Sequence, residues 1–337
     1  MKGNSSKNIK AAITAVGGFV PNDFISNQDL EKVLDTTDEW ITTRTGIKKR
    51  RILKGEGKGT SYLAIKAAED IITKRNIDPN TIDLVIVATI TPDYKGAATA
   101  PSVASAIKAN NAYAFDLSAA CSGFLYGMST ATSYIESGRY KKVLLIGADK
   151  MSLVVDYTKR ETSILFGDGA GAVLVEPSKN EFGWEDEYLR SDGIGAEWLM
   201  VKGGGSMYPM TQEALDSGWH YITQDGKTVF KAAVSEMASA TEEIVNRNNL
   251  NPEDIKFLMP HQANKRIIDA AAERCGISND KVLINIDQYG NTTAGTIPIA
   301  LNEANKNNLF KDGDYILLSA FGAGFTWGSM LIKWDSK

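Results

Sequence analysis

Cysteine and histidine are scarce here: the 337 residues hold two of each, Cys121, Cys275, His220 and His261. Four such residues at scattered positions do not make a zinc site, and no metal is expected. One disulfide is arithmetically available, but two cysteines in so long a chain suit a reducing cytoplasm better. No apolar run approaches the roughly 18 residues of a membrane span. Strong charge of either sign is missing too. A net charge of −4 and a pI near 5.5 give no global attraction to nucleic acid or to an anionic membrane surface, so neither is expected as a partner. Residues 1–10 are polar and basic ahead of Ala11-Ala12-Ile13-Thr14-Ala15, a faint likeness to a signal peptide. The apolar stretch is short, and Ile9, Ala11, Ile13 and Ala15 alternate, which predicts a first strand instead.

What is present is a 43% hydrophobic, 23% charged chain, enough for a large core and for two similar halves. Its organising stretch is Ala114-Phe115-Asp116-Leu117-Ser118-Ala119-Ala120-Cys121-Ser122-Gly123. Ala112 to Leu117 reads as a short buried strand. Ser122 to Ser137 reads as a helix stopped at Gly138, and it is apolar or small nearly all round, hence central. Cys121 then sits where free N–H groups and the positive end of a helix dipole converge, a setting that favours the thiolate. The plainer alternative is a buried structural cysteine.

Asp83-Leu84-Val85-Ile86-Val87-Ala88-Thr89 and Val143 to Ala148 are continuous apolar runs of strand length, buried on both faces as in a parallel sheet. Phe166-Gly167-Asp168-Gly169-Ala170-Gly171 turns into a further strand. Helices are predicted over Ser61 to Arg75, Pro101 to Asn110 and Thr228 to Asn248. The stretch 176–227 is polar and glycine-rich and reads as a connection with short antiparallel strands. Beyond it the first half is echoed. Asp254 to Pro260 mirrors Asp83 to Thr89, the helix from Lys265 to Arg274 mirrors that from Pro101, and Tyr315 to Gly324 mirrors the strand and glycine turn near residue 170. This predicts an α/β fold of two duplicated halves, 1–176 carrying the nucleophile and 177–337 holding the connection and the second half.

That second half supplies partners for the thiol. His261, in Pro260-His261-Gln262-Ala263-Asn264, follows a buried strand directly, the place where α/β folds collect functional groups. Asn291, in Gly290-Asn291-Thr292-Thr293, occupies a turn before a helix. A hydrogen-bonded core histidine and an N-cap asparagine are the bland alternatives. His220 lies in the irregular connection and is read as incidental.

Taken together, Asp116 to Gly123, Pro260 to Asn264, Gly290 to Thr292 and Phe321-Gly322-Ala323-Gly324-Phe325-Thr326-Trp327-Gly328 resemble the motifs of the β-ketoacyl-acyl carrier protein synthase III family, in order and spacing, over about Ile9 to Trp334. The resemblance implies a thiolase-like five-layered α-β-α-β-α fold, a homodimer, a cytoplasmic location and no cofactor, coenzyme A thioester being a substrate. It implies that an acyl-CoA acylates Cys121, and that His261 and Asn291 assist decarboxylation of malonyl-acyl carrier protein. The N–H groups of Cys121 and Ala323 would form the oxyanion hole, although the family commonly has Gly at the Ala323 position. Trp40, Arg44, Arg160 and Asn264 match positions that bind coenzyme A or substrate, while Lys231 and Arg266 match positions that receive the acidic carrier protein. Simple packing of Trp40 and a solvated charged face at Lys231 and Arg266 are the competing explanations. Gly96 matches a position at the end of the acyl pocket that is commonly Phe, which suggests longer or branched primers.

Other functions keep some support from these residues. One is a specialised relative that condenses longer or branched chains, or transfers acyl groups to an amine or alcohol. Cys, His and Asn also serve cysteine hydrolases, which the buried helix start argues against. A non-catalytic partner subunit of a condensing heterodimer would generally lack the nucleophile.

Overall fold

The computed structural model describes residues 9–335; residues 1–8 of the polar, basic start lie outside them. Two sheets carry the architecture. The first has five strands: β1 (Ala11–Phe19), β2 (Leu84–Ala88), β3 (Tyr113–Leu117), β4 (Val143–Lys150) and β5 (Asp168–Pro177), in the order β1-β5-β4-β2-β3. Strands β2, β3 and β4 run parallel, and β5 is antiparallel to both β4 and β1. The second comprises β6 (Gly183–Ser191), β7 (Ile255–Pro260), β8 (Tyr315–Gly322) and β9 (Thr326–Lys333), ordered β7-β8-β9-β6. There β7 and β8 are parallel, and β9 is antiparallel to β8 and β6. A parallel bridge from Leu258 to Val282 stands beside β7 where β3 stands beside β2.

The halves therefore correspond strand by strand, with β2 matching β7, β4 matching β8, β5 matching β9 and β1 matching β6. The expected pairing of Tyr315–Gly324 with the strand after Gly167 is corrected by this topology. The stretch from Tyr315 to Gly322 takes the place of Val143–Lys150, and β9 takes that of β5. Both stretches are rich in Gly and Ala, and texture alone does not distinguish neighbouring strands.

Helices α1 (Thr60–Arg75), α2 (Thr99–Ala106), α3 (Gly123–Glu136), α4 (Gly226–Arg247), α5 (Lys265–Arg274) and α6 (Thr296–Lys306) complete five layers. Helix α1 packs on β1, β4 and β5 from outside, α4 packs on β8 and β9, and α3 and α6 lie between the sheets. The central position of α3 follows from its small-and-apolar surface: Phe124, Leu125, Met128, Ala131 and Ile135 are fully buried in one cluster with residues of both sheets. Gly147 on β4 marks how close this approach is. An added Cβ there would stand 2.1 Å from the backbone oxygen of Ala294, in the turn before α6.

Strand β3, expected to be buried, is instead the edge of its sheet. Tyr113 is 56% exposed and the rest of β3 is half-buried. Its Asp116 carboxylate accepts from the N–H groups of Thr99 and Ala100 and so caps α2, which has no side-chain cap of its own.

Candidate active site

Cys121 lies in a single 3₁₀ turn, Ala120–Ser122, between β3 and α3. Ala120 before it takes a left-handed conformation (φ 46°), unusual for a residue with a Cβ and a sign of a turn held by its surroundings. What holds it comes from the other half: Thr326 Oγ1 donates to the Ala119 carbonyl at 3.0 Å, and Ser122 Oγ donates to the Thr326 carbonyl at 2.9 Å. Gly322 presses directly on the turn, where an added Cβ would stand 2.7 Å from the Cys121 nitrogen.

His261 and Asn291 converge on the same place. His261 leaves the end of β7 and is buried. The neighbouring Gln262 braces its loop, donating to the carbonyls of Pro260 (2.8 Å) and Leu283 (3.2 Å) and accepting from Asn285 N–H. Asn291 is fixed by backbone bonds to Leu165 and Gly167. Its Oδ1 accepts the Thr293 N–H at 2.8 Å, so its Nδ2 is the group free to donate into the site. Thr293 is itself left-handed (φ 50°) and its hydroxyl donates to Asp149. That fully buried carboxylate also accepts from Thr89 Oγ1, Ile90 N–H, Thr91 N–H and Thr91 Oγ1. Asp149 thus ties the ends of β2 and β4 to the turn that carries Asn291.

A cavity of about 120 Å³ opens on these groups. Cys121, His261, Asn291, Asn264 and Ala323 line it, among apolar walls that include Ile90, Leu199, Phe230, Met237 and Phe321. Burial, and then the charge of Asp149, push the Cys121 thiol up to about 12, against hydrogen bonds from its own N–H and the Asn291 side chain. Burial thus opposes the thiolate expected at the helix start, raising the pKa of the thiol. Burial likewise holds His261 neutral, its pKa down at about 3. Its Nδ1 pairs with Thr296 Oγ1 at 2.7 Å, whereas Nε2 is buried without a partner. Ala323 is not among the non-glycine residues with positive φ, so its backbone accommodates the extra methyl.

The other predicted residues lie away from the cavity wall. Trp40 carries Arg44 at 4.8 Å and Arg160 at 4.6 Å from its ring centroid. Arg160 also donates to the Asp35 carbonyl. Lys231 and Arg266 are exposed; Arg266 covers Phe230 of the cavity wall at 5.1 Å, which places it at the rim, and Lys231 follows Phe230 on α4. Gly96 is exposed with φ 91°, and an added Cβ would meet nothing within 4 Å in its own chain. Tyr94 is 70% exposed and is not part of the cavity lining. Asp149, Thr293 and Thr296 were not singled out in the sequence; their link to Cys121 and His261 exists only once the halves are packed. Among the described residues no group of three or more His, Cys, Asp and Glu is placed to hold a metal ion, and no helix is long and apolar enough to cross a membrane.

Two matching half-folds with a cysteine at the head of the central helix, facing His and Asn from the other half, define a thiolase-like condensing enzyme. The sequence comparisons narrow the class. Residues 115–193 match the family described as 3-oxoacyl-[acyl-carrier-protein] synthase III, and residues 245–334 match its C-terminal counterpart. A β-ketoacyl-[acyl-carrier-protein] synthase III of Chlorobium chlorochromatii is 56% identical over 97% of this chain and 100% of its own. One from Porphyromonas gingivalis is 50% identical over 97% of each. The crystal structure of the Aquifex aeolicus synthase III superposes with a TM-score of 0.88 at 42% identity, covering 96% of this chain and 100% of that one. The chain belongs to the β-ketoacyl-acyl carrier protein synthase III family, whose members join an acyl-CoA primer to malonyl-acyl carrier protein and so initiate fatty acid synthesis.

Proposed function

We propose that this chain runs the family's decarboxylative condensation with Cys121 as nucleophile, His261 as proton acceptor and then donor, and Asn291 as second donor. The observation that carries the reading is the convergence of the three on the lining of one apolar cavity. In the first half-reaction Cys121 Sγ attacks the acyl-CoA carbonyl. A sulfur–carbon bond forms, the carbon–sulfur bond to coenzyme A breaks, and the thiol proton passes through His261 Nε2 to the departing coenzyme A thiolate. A neutral, unpaired Nε2 suits this role, because the buried thiol does not ionise unaided. In the second half-reaction the malonyl thioester loses carbon dioxide, and the electron pair moves onto its thioester oxygen. His261 and Asn291 donate to that enolate oxygen. The enolate carbon attacks the acyl-Cys121 carbonyl, whose oxyanion the N–H groups of Cys121 and Ala323 accept. Collapse expels the Cys121 thiolate, which regains a proton from solvent.

The substrate positions in this reading draw support from the same geometry. With Arg160 4.6 Å from the Trp40 ring, no third flat ring fits between them. Adenine of coenzyme A would enter as Arg160 swings away from the Asp35 carbonyl, giving an aromatic–adenine–guanidinium stack with Arg44 nearby for phosphate. Arg266 at the rim and Lys231 next to Phe230 suit an acidic carrier protein, and Asn264 the thioester arm. A homodimer through the free edge of β3 fits its unpaired backbone side and exposed Tyr113. Free buried cysteines and soluble thioester substrates suit the cytoplasm, and the reaction as written needs no cofactor.

Measuring the half-reactions separately tests the assignment. His261→Ala is expected to slow both acylation of Cys121 and malonyl decarboxylation, each by about 10²-fold or more. Full acylation in that variant would remove His261 as the proton acceptor.

A further inference from the structure

The two half-reactions ask opposite things of His261 Nε2. It must be bare to take the thiol proton, and protonated to donate to an enolate oxygen. The group that decides between these states is the partner of the other ring nitrogen. Carboxylate or backbone carbonyl partners accept only, and either would fix the proton on Nδ1. Here the partner is a hydroxyl, Thr296 Oγ1 at 2.7 Å, buried at the start of α6, and it is the one hydrogen bond the ring makes among the described residues.

Thr296 has one proton and a second neighbour, the Thr293 carbonyl at 3.1 Å. While the hydroxyl donates to that carbonyl, its oxygen accepts from Nδ1–H, and Nε2 is bare. Rotated toward the ring, it donates to Nδ1, and Nε2 carries the proton. Both arrangements use the same heavy-atom positions, so the ring need not move. The turn involved is the one that orients Asn291, since Thr293 N–H holds Asn291 Oδ1 while Thr293 O receives Thr296.

We propose that Thr296 is a positioning residue that sets the His261 tautomer, holding Nδ1–H in the free enzyme and accommodating Nε2–H once Cys121 is acylated. The ring proton exchanges with water between the half-reactions, after coenzyme A leaves and before the malonyl thioester decarboxylates; no proton is gained or lost over the cycle by the ring. This inference rests on the role given to His261 above, but its test does not depend on activity.

The chain has only two histidines, so imidazole nitrogen resonances of the ¹⁵N-histidine-labelled protein are few, and His220→Gln assigns them. In free wild type, His261 is expected to show a protonated Nδ1 and a bare Nε2. Thr296→Ser keeps the hydroxyl and is expected to keep that pattern. Thr296→Val sets a methyl against Nδ1, where a buried N–H has no acceptor, and is expected to shift the proton to Nε2. In the same variant, acylation should fall by about 10²-fold, while carbon dioxide release from enzyme already acylated changes by less than about threefold. A wild-type ring protonated on Nε2, or a pattern unchanged in Thr296→Val, overturns the proposal, and the wild-type spectrum alone decides if that variant does not fold. Normal acylation in His261→Ala would instead overturn the role of His261 itself.

Discussion

The substitution Gly147→Ala tests whether the site depends on how closely the two halves meet. Gly147 lies on β4, and its added Cβ would stand 2.1 Å from the Ala294 oxygen, 2.7 Å from the Ala294 carbon and 3.3 Å from the Gly295 nitrogen. These are backbone atoms, so no side chain can rotate away. Carbon makes favourable contacts at about 3.5–4.0 Å, so relief requires a backbone shift on the order of 1 Å. The segment displaced is Thr293–Gly295, which follows Asn291 and precedes Thr296. Cys121 is tied elsewhere, through Ser122 and Thr326 to the turn between β8 and β9. Overpacking of this kind costs about 1–3 kcal/mol of stability. A misplacement of about 1 Å at catalytic groups costs about 10²-fold in rate. The expected result is a folded protein whose condensation rate falls about 10²-fold, with acylation of Cys121, which does not require Asn291, suffering less. Denaturant unfolding measures the stability, intact-mass kinetics the acylation, and carbon dioxide release the condensation. A folded Gly147→Ala protein condensing within about threefold of wild type would show that the reasoning from this contact is wrong.

Asn291→Ala is expected to leave acylation within about tenfold of wild type while lowering decarboxylation by about 10²–10³-fold, the usual cost of one oxyanion donor; equal loss in both steps would contradict it. Trp40→Ala is expected to raise KM for acyl-CoA with little change in kcat, and an unchanged KM would dissociate Trp40 from coenzyme A. A primer series from acetyl to dodecanoyl on wild type and Gly96→Phe should show long primers used by wild type and lost in the variant, since each buried methylene contributes about 0.8 kcal/mol; use of acetyl alone by wild type would end that idea. His261 is held at about 3 against 6.5 for the free side chain. Between those values the unfolded chain binds a proton that the native state does not, so stability should fall as pH drops from about 6.5 toward 3. Urea unfolding of wild type and His261→Gln across that window should show a shallower slope in the variant, and equal slopes would refute the burial argument.

Much of the fold could be read from periodicity. The double-sided apolar runs at Asp83–Thr89 and Val143–Ala148 became parallel central strands, and the small-residue surface of the cysteine helix placed it between the sheets, because those patterns report burial directly. Strand β3 was misplaced since its residues are apolar enough for a core strand, and only sheet order tells an edge from a centre. Tyr315–Gly322 was matched to the wrong strand for a related reason: glycine and alanine mark close approach, not position. At the site, Cys121, His261 and Asn291 stood out through strand-end and turn positions. The burial that opposes ionisation of Cys121 did not, because the dipole is a local feature while desolvation and the Asp149 charge depend on the packed halves. Thr296 was silent in the sequence, since a threonine opening a helix has no signature beyond its place.

The central claim is that Cys121 carries the acyl group between two thioesters. It is tested most directly by intact-mass measurement of the protein mixed with acyl-CoA, followed by peptide mapping and then addition of malonyl-acyl carrier protein. The account predicts one added acyl mass per chain, located on the peptide bearing Cys121, absent in Cys121→Ala, and discharged with release of carbon dioxide when the malonyl thioester arrives. An adduct on another residue, or β-ketoacyl product formed by Cys121→Ala at the wild-type rate, would contradict it.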